Sequence, residues 1–170
     1  MQEESSPTSN IMQETSNANI DTSFSSTTNS TPFISALDTP LVGYTENEQE
    51  FFKLINNERE KNNLPHLEID EDLQNAARLK AEDLVKNNYF SHTSPTYGTL
   101  YEMLEQNGIK YKVASENIAG NSSITGAVSA LMNSDSHKSN ILSNKFNYTG
   151  VAVVNSATYG KILVQLFIGK

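Results

Sequence analysis

Cysteine and tryptophan are both absent from this 170-residue chain, and arginine occurs only at positions 59 and 78. Without cysteine there is no disulfide, no thiol nucleophile, no iron–sulfur cluster and no Cys-ligated zinc. Any metal must therefore use imidazole, carboxylate or backbone oxygen. Basic residues are scarce, 12 Lys+Arg against 20 Asp+Glu for a formal charge of −8, and they do not cluster. Neutralising phosphates needs a basic face, so nucleic acid is not an expected partner. Long apolar runs are missing too. The longest, Ile162 to Ile168, is interrupted by Gln165, whereas a bilayer span needs about 20 apolar residues. No transmembrane segment is expected.

The text changes character near residue 44. Residues 1–43 hold five acids, no base, and 20 Ser, Thr or Asn. Such a stretch cannot bury enough apolar surface to offset its ordering entropy, so it reads as a flexible acidic linker. Phe33 to Leu37 is its one segment suited to a weak contact. It contains no basic stretch followed by an apolar core, so no signal peptide is read in it. An acidic Ser/Thr/Asn-rich arm fits an extracellular or cell-surface protein whose leader has been removed from the sequence.

Residues 44–170 read as one globular domain. Thr45 with Glu48 forms a capping-box pattern ahead of Phe51, Phe52, Leu54, Ile55 and the stem of Arg59, and Asn62-Asn63 closes that helix. Asp70 opens a second helix whose face carries Leu73, Ala76, Ala77, Lys80, Ala81 and Leu84, ending at Asn87-Asn88. Thr99 with Glu102 opens a third, which stops at Gly108. Tyr111, Val113 and Ser115 alternate with Lys112, Ala114 and Glu116 as a strand leading into Asn117–Gly120. Thr125 to Met132 reads as helix, and Ser134 is expected to cap another through Leu142. Gly150–Val154, a turn at Asn155–Thr158, and Lys161–Ile168 read as a terminal hairpin. The sum is an α+β domain with helices on both faces of a small, three- to four-stranded, mainly antiparallel sheet.

Only three histidines restrict where chemistry can sit. His66, in an inter-helix loop after Pro65, reads as a surface imidazole. His92 follows a helix end and His137 lies near a helix start, where scaffolds place functional side chains. Glu116 stands in Ala114–Ala119, a segment otherwise uncharged, and a carboxylate half-buried there must be paired, hydrogen-bonded or protonated. It reads either as a functional group or as a structural carboxylate, held by loop amides or paired with Lys110 or Lys112. Asp135, two residues before His137, could orient that ring, or simply favour a helix start. Phe51/Phe52 and Tyr89/Phe90 are expected in the core. No His-Glu-x-x-His, Gly-x-Ser-x-Gly, phosphate-loop or calcium-loop pattern occurs.

Taken together, Ser91–Pro95, Glu116–Ala119, Ser134–Leu142, Phe146–Gly150 and Gln165–Phe167, in that order, resemble the bacterial, SCP-like branch of the CAP superfamily. That superfamily includes cysteine-rich secretory proteins, antigen 5 and plant pathogenesis-related proteins. The opening helix, with Leu54, Ile55, Asn56, Glu58 and Arg59 before Asn63-Leu64-Pro65, is similar as well. The resemblance covers about residues 46–170. It implies an α–β–α sandwich with a cleft lined by two imidazoles and acids, in which a divalent ion, often zinc, can bind. Carried over residue by residue, it makes His92 and His137 the metal ligands and Glu116 the cleft glutamate. Ser94, Asn117, Ser134 and Asp135 are assigned to the cleft lining, with Ser134 or Asp135 nearest the family's fourth, acidic position. The chain departs from the pattern at Leu131 and Leu163, where the family often has Trp, at Lys138, where it has Arg, and at Asp135-Ser136, where it has Pro-Gly. The resemblance implies a binding module for a peptide, glycan or lipid. The alternative is a metal-dependent hydrolase of peptide or cell-wall substrate with Glu116 as general base.

Overall fold

A computed structural model describes residues 40–170. The expected linker through residue 39, with the Phe33–Leu37 segment, lies outside the described residues. α1 spans Glu46–Lys61, β1 Glu68–Ile69, α2 Glu71–Lys86 and α3 Leu100–Gln106. β2 follows at Val113–Asn121, α4 at Ile124–Asn133, α5 at Asp135–Ile141, β3 at Tyr148–Ser156 and β4 at Gly160–Gly169. Among the described residues no helix is long and apolar enough to cross a membrane.

Local chemistry sets most helix ends. Thr45–Glu48 and Thr99–Glu102 each close a reciprocal capping box, and the Asp70 side chain accepts the Leu73 amide. The N-cap expected of Ser134 is not made: the residue stands at the start of α5, but its side chain gives no cap bond. The hydroxyl is drawn to a histidine instead, as described below.

The strand order is β1-β3-β4-β2, with β2 antiparallel to β4, β3 antiparallel to β4, and the two-residue β1 parallel to β3. The sequence reading did not include β1, which is too short to show a period. Ile162, Val164, Leu166 and Ile168 of β4 join the core under α2 and α3, while Leu163 and Phe167 join the core with α1, α4 and α5. Covered on both faces, β4 is buried almost end to end and shows no polar alternation. The same double cover buries Glu116, Asn117, Ile118 and Ala119 in succession, so the alternation expected along β2 does not persist.

Two buried cations fasten the helices to the loops. Arg59 of α1 was expected to bury its stem, yet the whole residue is inaccessible. Its guanidinium donates to the carbonyls of Pro65 (2.9 Å), Ile141 (2.8 Å), Ser143 (2.8 Å) and Phe146 (3.5 Å). This grip fixes the C-terminal end of α5. Lys80 of α2, equally buried, acts at the other side of the molecule.

Candidate functional site

Lys80 stands one turn before Asp83 on the face of α2 that packs against the sheet. Its ammonium donates to the carbonyls of Ser91 (2.9 Å) and His92 (3.0 Å) and to the Tyr89 hydroxyl (3.2 Å). Asp83 accepts from Tyr89 Oη (2.6 Å), Ser94 Oγ (2.7 Å), Thr96 Oγ1 (2.5 Å) and Asn87 Nδ2 (2.6 Å). The Ser94 hydroxyl also accepts the amides of Thr96 and Tyr97. Burial alone would raise the Asp83 carboxyl, yet these hydrogen bonds from Thr96, Tyr89, Ser94 and Asn87 outweigh it and hold it below the usual range. The 89–97 segment is thus tied to α2 at several points. Ser94, assigned from sequence to the cleft, serves as one of those ties.

That anchored loop presents His92 to the edge strand β2. The His92 Nδ1 lies 2.7 Å from Glu116 Oε1. Because Glu116 is the acceptor of choice, the fitting tautomer carries the proton on Nδ1. Burial pushes the Glu116 carboxyl up, against the opposing pull of the His92 hydrogen bond and the nearby Lys80 charge. Its hydrogen-bond partner is therefore His92, with the Lys80 charge acting from nearby, and neither of the lysines suggested by proximity in sequence. Lys110 and Lys112 line a separate hollow of about 510 Å³ with Asp70, Asp72 and Lys170, which contains no histidine.

Asn117, the next residue, points to the opposite face. Its Nδ2 donates to the carbonyl of His137 (3.1 Å), and its Oδ1 accepts from Asn140 Nδ2 (2.8 Å). Two successive residues of one edge strand thus hold the two histidine-bearing segments, one from each helical layer. The His137 ring bonds through Nδ1 to Ser134 Oγ at 2.8 Å. Burial first, and then the charge of His92, holds the His137 imidazole below its ordinary range. Asp135, exposed in the first turn of α5, does not take this role; Ser134 does. His66 lies elsewhere, 3.6 Å from Glu60 at the surface.

Two hollows follow one another along β2. One, about 290 Å³, is lined by His92, Thr93, Thr99, Leu100, Tyr101 and Ala114 to Glu116. The other, about 320 Å³, is bounded by His137, Ser134, Ile118, Gly120, Phe90 and Tyr159. Phe90 was expected in the core and is 45% exposed. After α2 ends, Asn88 takes a left-handed turn (φ 50°) and carries the chain off the sheet before Phe90 is reached. Sequence reading placed Lys80 on the buried face of α2 but gave it no task, and it passed over Asp83 and Asn140. A lysine within an otherwise apolar stripe was the available signal.

The donor set bears on the implied metal. Among the described residues no three His, Asp or Glu side chains converge where a metal could be held. With each Nδ1 engaged, the Nε2 atoms of His92 and His137 have no hydrogen-bond partner among the described residues. The described residues do not fit a closed four-ligand centre, and an ion there could draw on no protein ligands beyond these two imidazoles.

The sequence model of the cysteine-rich secretory protein family matches residues 52–167. Among curated relatives, YkwD of Bacillus subtilis is 46% identical over 124 residues, 72% of this chain and 47% of that protein. The B. subtilis membrane protein YlbC is 37% identical over 64% of this chain and 32% of its own length. The chain therefore spans about half or less of these relatives. Among solved structures, an extracellular protein containing a SCP domain from Bacillus anthracis superposes with a TM-score of 0.67 at 38% identity, over 73% of this chain and 40% of that one. An outer surface protein of Borrelia burgdorferi gives 0.68 at 26% identity, over 74% of this chain and 94% of that one. The motif order, the sandwich built around an edge strand and these matches agree: the chain belongs to the cysteine-rich secretory protein (CAP) family.

Proposed function

We propose that this CAP domain is a binding module of the bacterial cell exterior, and that its cleft along β2 takes a divalent ion, zinc, together with a peptide, glycan or lipid ligand. The observation that carries the reading is the paired restraint of the two rings. Glu116 holds Nδ1 of His92 and Ser134 holds Nδ1 of His137, which leaves both Nε2 atoms as the available metal-binding nitrogens. A carboxylate on the far nitrogen of a ligating imidazole fixes its tautomer and orientation and raises its basicity. A bound zinc would supply a Lewis-acidic point for a ligand oxygen. His92 and His137 would hold the ion, Glu116 and Ser134 would orient the rings, and Lys80 and Asn117 would fix the segments that carry them. The exterior location is supported by the extracellular and outer-surface proteins that the chain resembles.

A hydrolase using Glu116 as general base gains no support from the geometry. The carboxylate is nearly inaccessible and is engaged with the His92 ring, whereas a general base must reach a substrate proton or a water.

Zinc titration by calorimetry, on the wild type and on His92→Ala and His137→Ala, tests the proposal. Zinc alone should bind the wild type at one equivalent and bind each variant at least about tenfold more weakly. Equal zinc binding in all three would remove the imidazoles from the site. Zinc-dependent turnover of cell-wall peptides that disappears in Glu116→Gln would replace the module reading with the hydrolase.

A further inference from the structure

We infer that the hollow bounded by Phe90 and Tyr159 is a subsite for the bulky apolar side chain of an extended peptide lying along β2. The inference rests on reading the His92/His137 groove as a ligand cleft, and it names the ligand's class. The two rings face each other at 5.1 Å between centroids, tilted by 43°. Both are substantially exposed, Phe90 at 45% and Tyr159 at 40%. Their position is built into the fold. A Cβ placed on Gly120 would lie 2.8 Å from the Tyr159 ring, so the ring rests on β2 only because that residue has no side chain. A fixed apolar wall beside a cleft binds without the entropic cost of being assembled on contact.

The lining selects among ligand classes. Apart from Ser134 and His137 it is apolar, with Ile118, Ala119, Gly120, Ala130 and Leu131 behind the rings. A sugar ring would leave most of its hydroxyls unpaired there. Among the described residues no lysine or arginine lines either hollow, so an anionic lipid headgroup finds no cluster of charge. A peptide suits the remaining features. The hollows follow β2 from Ala114 to Gly120, about 20 Å of strand and the length of roughly six extended residues. The polar groups of the groove suit a peptide as well. Although the chain carries a formal charge of −8, the only carboxylate lining either hollow among the described residues is Glu116, which is bound to His92. With its proton on Nδ1, His92 offers Nε2, when no ion occupies it, as an acceptor for a peptide N–H, a donor that an acyl chain lacks. An extended strand that sets alternate side chains into pockets is an established recognition mode.

The test uses N-acetyl-Ala-Phe-Ala-amide and N-acetyl-Ala-Ala-Ala-amide, with chitotriose and laurate as the other classes, titrated into the full chain and followed by amide shifts in NMR. The Phe peptide should shift residues 118–120 and Tyr159 and bind roughly tenfold more tightly than the Ala peptide. Phe90→Ser, a change at an exposed ring, should abolish that preference. Gly120→Ala, which keeps both rings but displaces Tyr159, should do the same, and melting curves identify any variant that has not folded. Equal binding of the two peptides in the groove would overturn the subsite and leave the cleft reading standing. Shifts by neither peptide along β2 would overturn both. Shifts of the hollow by chitotriose or laurate, with the peptides silent, would assign the groove to that class and reject the inference.

Discussion

Arg59 and Lys80 invite comparison, because each is a fully buried cation that grips backbone carbonyls and each steadies the segment bearing one histidine. Arg59 holds the end of α5, the helix that carries His137, and Lys80 holds the carbonyl of His92 itself. Their surroundings differ. Burial lowers the Arg59 guanidinium with no carboxylate acting in opposition, and its partners include the C-terminal carbonyls of a helix, where a cation is favoured. Burial also lowers the Lys80 ammonium, but Glu116 and Asp83 counter it. The α1 side is therefore fastened by groups that do not titrate. The α2 side is fastened by a charge network that reaches the candidate site. The difference places the carboxylate-linked response to acid on the His92 half.

The largest effect is expected from Arg59→Met. Four carbonyls lose a donor, those of Ile141 and Phe146 in buried bonds, and stability should fall by about 4 kcal/mol in denaturant unfolding. Lys80→Met should cost less, about 2–3 kcal/mol, because fewer carbonyls are orphaned. Its local signature should be faster hydrogen exchange in residues 91–97 with the α5 amides unchanged. If both segments loosen equally in either variant, the two anchors are not independent. Acid separates them next. The folded-state carboxyl of Asp83 is held below its ordinary value of 3.8, so its contribution is complete above that pH and is lost as pH falls through the depressed folded value. Exchange protection of Ser94 to Tyr97, corrected for intrinsic rates, should therefore fall only below about pH 4, whereas α5, whose His137 imidazole is held below its ordinary value of 6.5, should begin to weaken as pH falls through that value. The smallest effect is Thr99→Ala, which removes one capping box beside the His92 hollow and should cost about 1 kcal/mol by thermal unfolding.

What could be read from the sequence divides along the range of the interactions. Thr45 with Glu48, Asp70 and Thr99 with Glu102 announce helix starts because a cap is completed within three residues. The family resemblance placed His92, Glu116 and His137 on one cleft, and the structure brings Glu116 onto the His92 ring. No local spacing could have shown that pairing, since it spans 24 residues. Arg59 reaches Ile141 across 82 residues, so the sequence placed its stem on the apolar face and gave its guanidinium no task. Phe90 was misread for another reason: an aromatic after an apolar helix resembles core until the turn at Asn88 is known. Ser134 illustrates competition between two acceptable partners. A hydroxyl at a helix start can bond an amide or an imidazole, and here the imidazole wins.

The side-by-side placement of Glu116 and Asn117 has a consequence for assembly. Neighbouring strand residues face opposite ways, so a slip of β2 by one position against β4 would send the carboxylate toward α5 and the amide toward Lys80. Each would meet the wrong chemistry, and both histidines would lose their supports in a single error. Occupancy of the cleft would then report on whether the sheet had closed in its proper alignment, so that molecules with a mispaired edge would be silent in binding as well as misfolded.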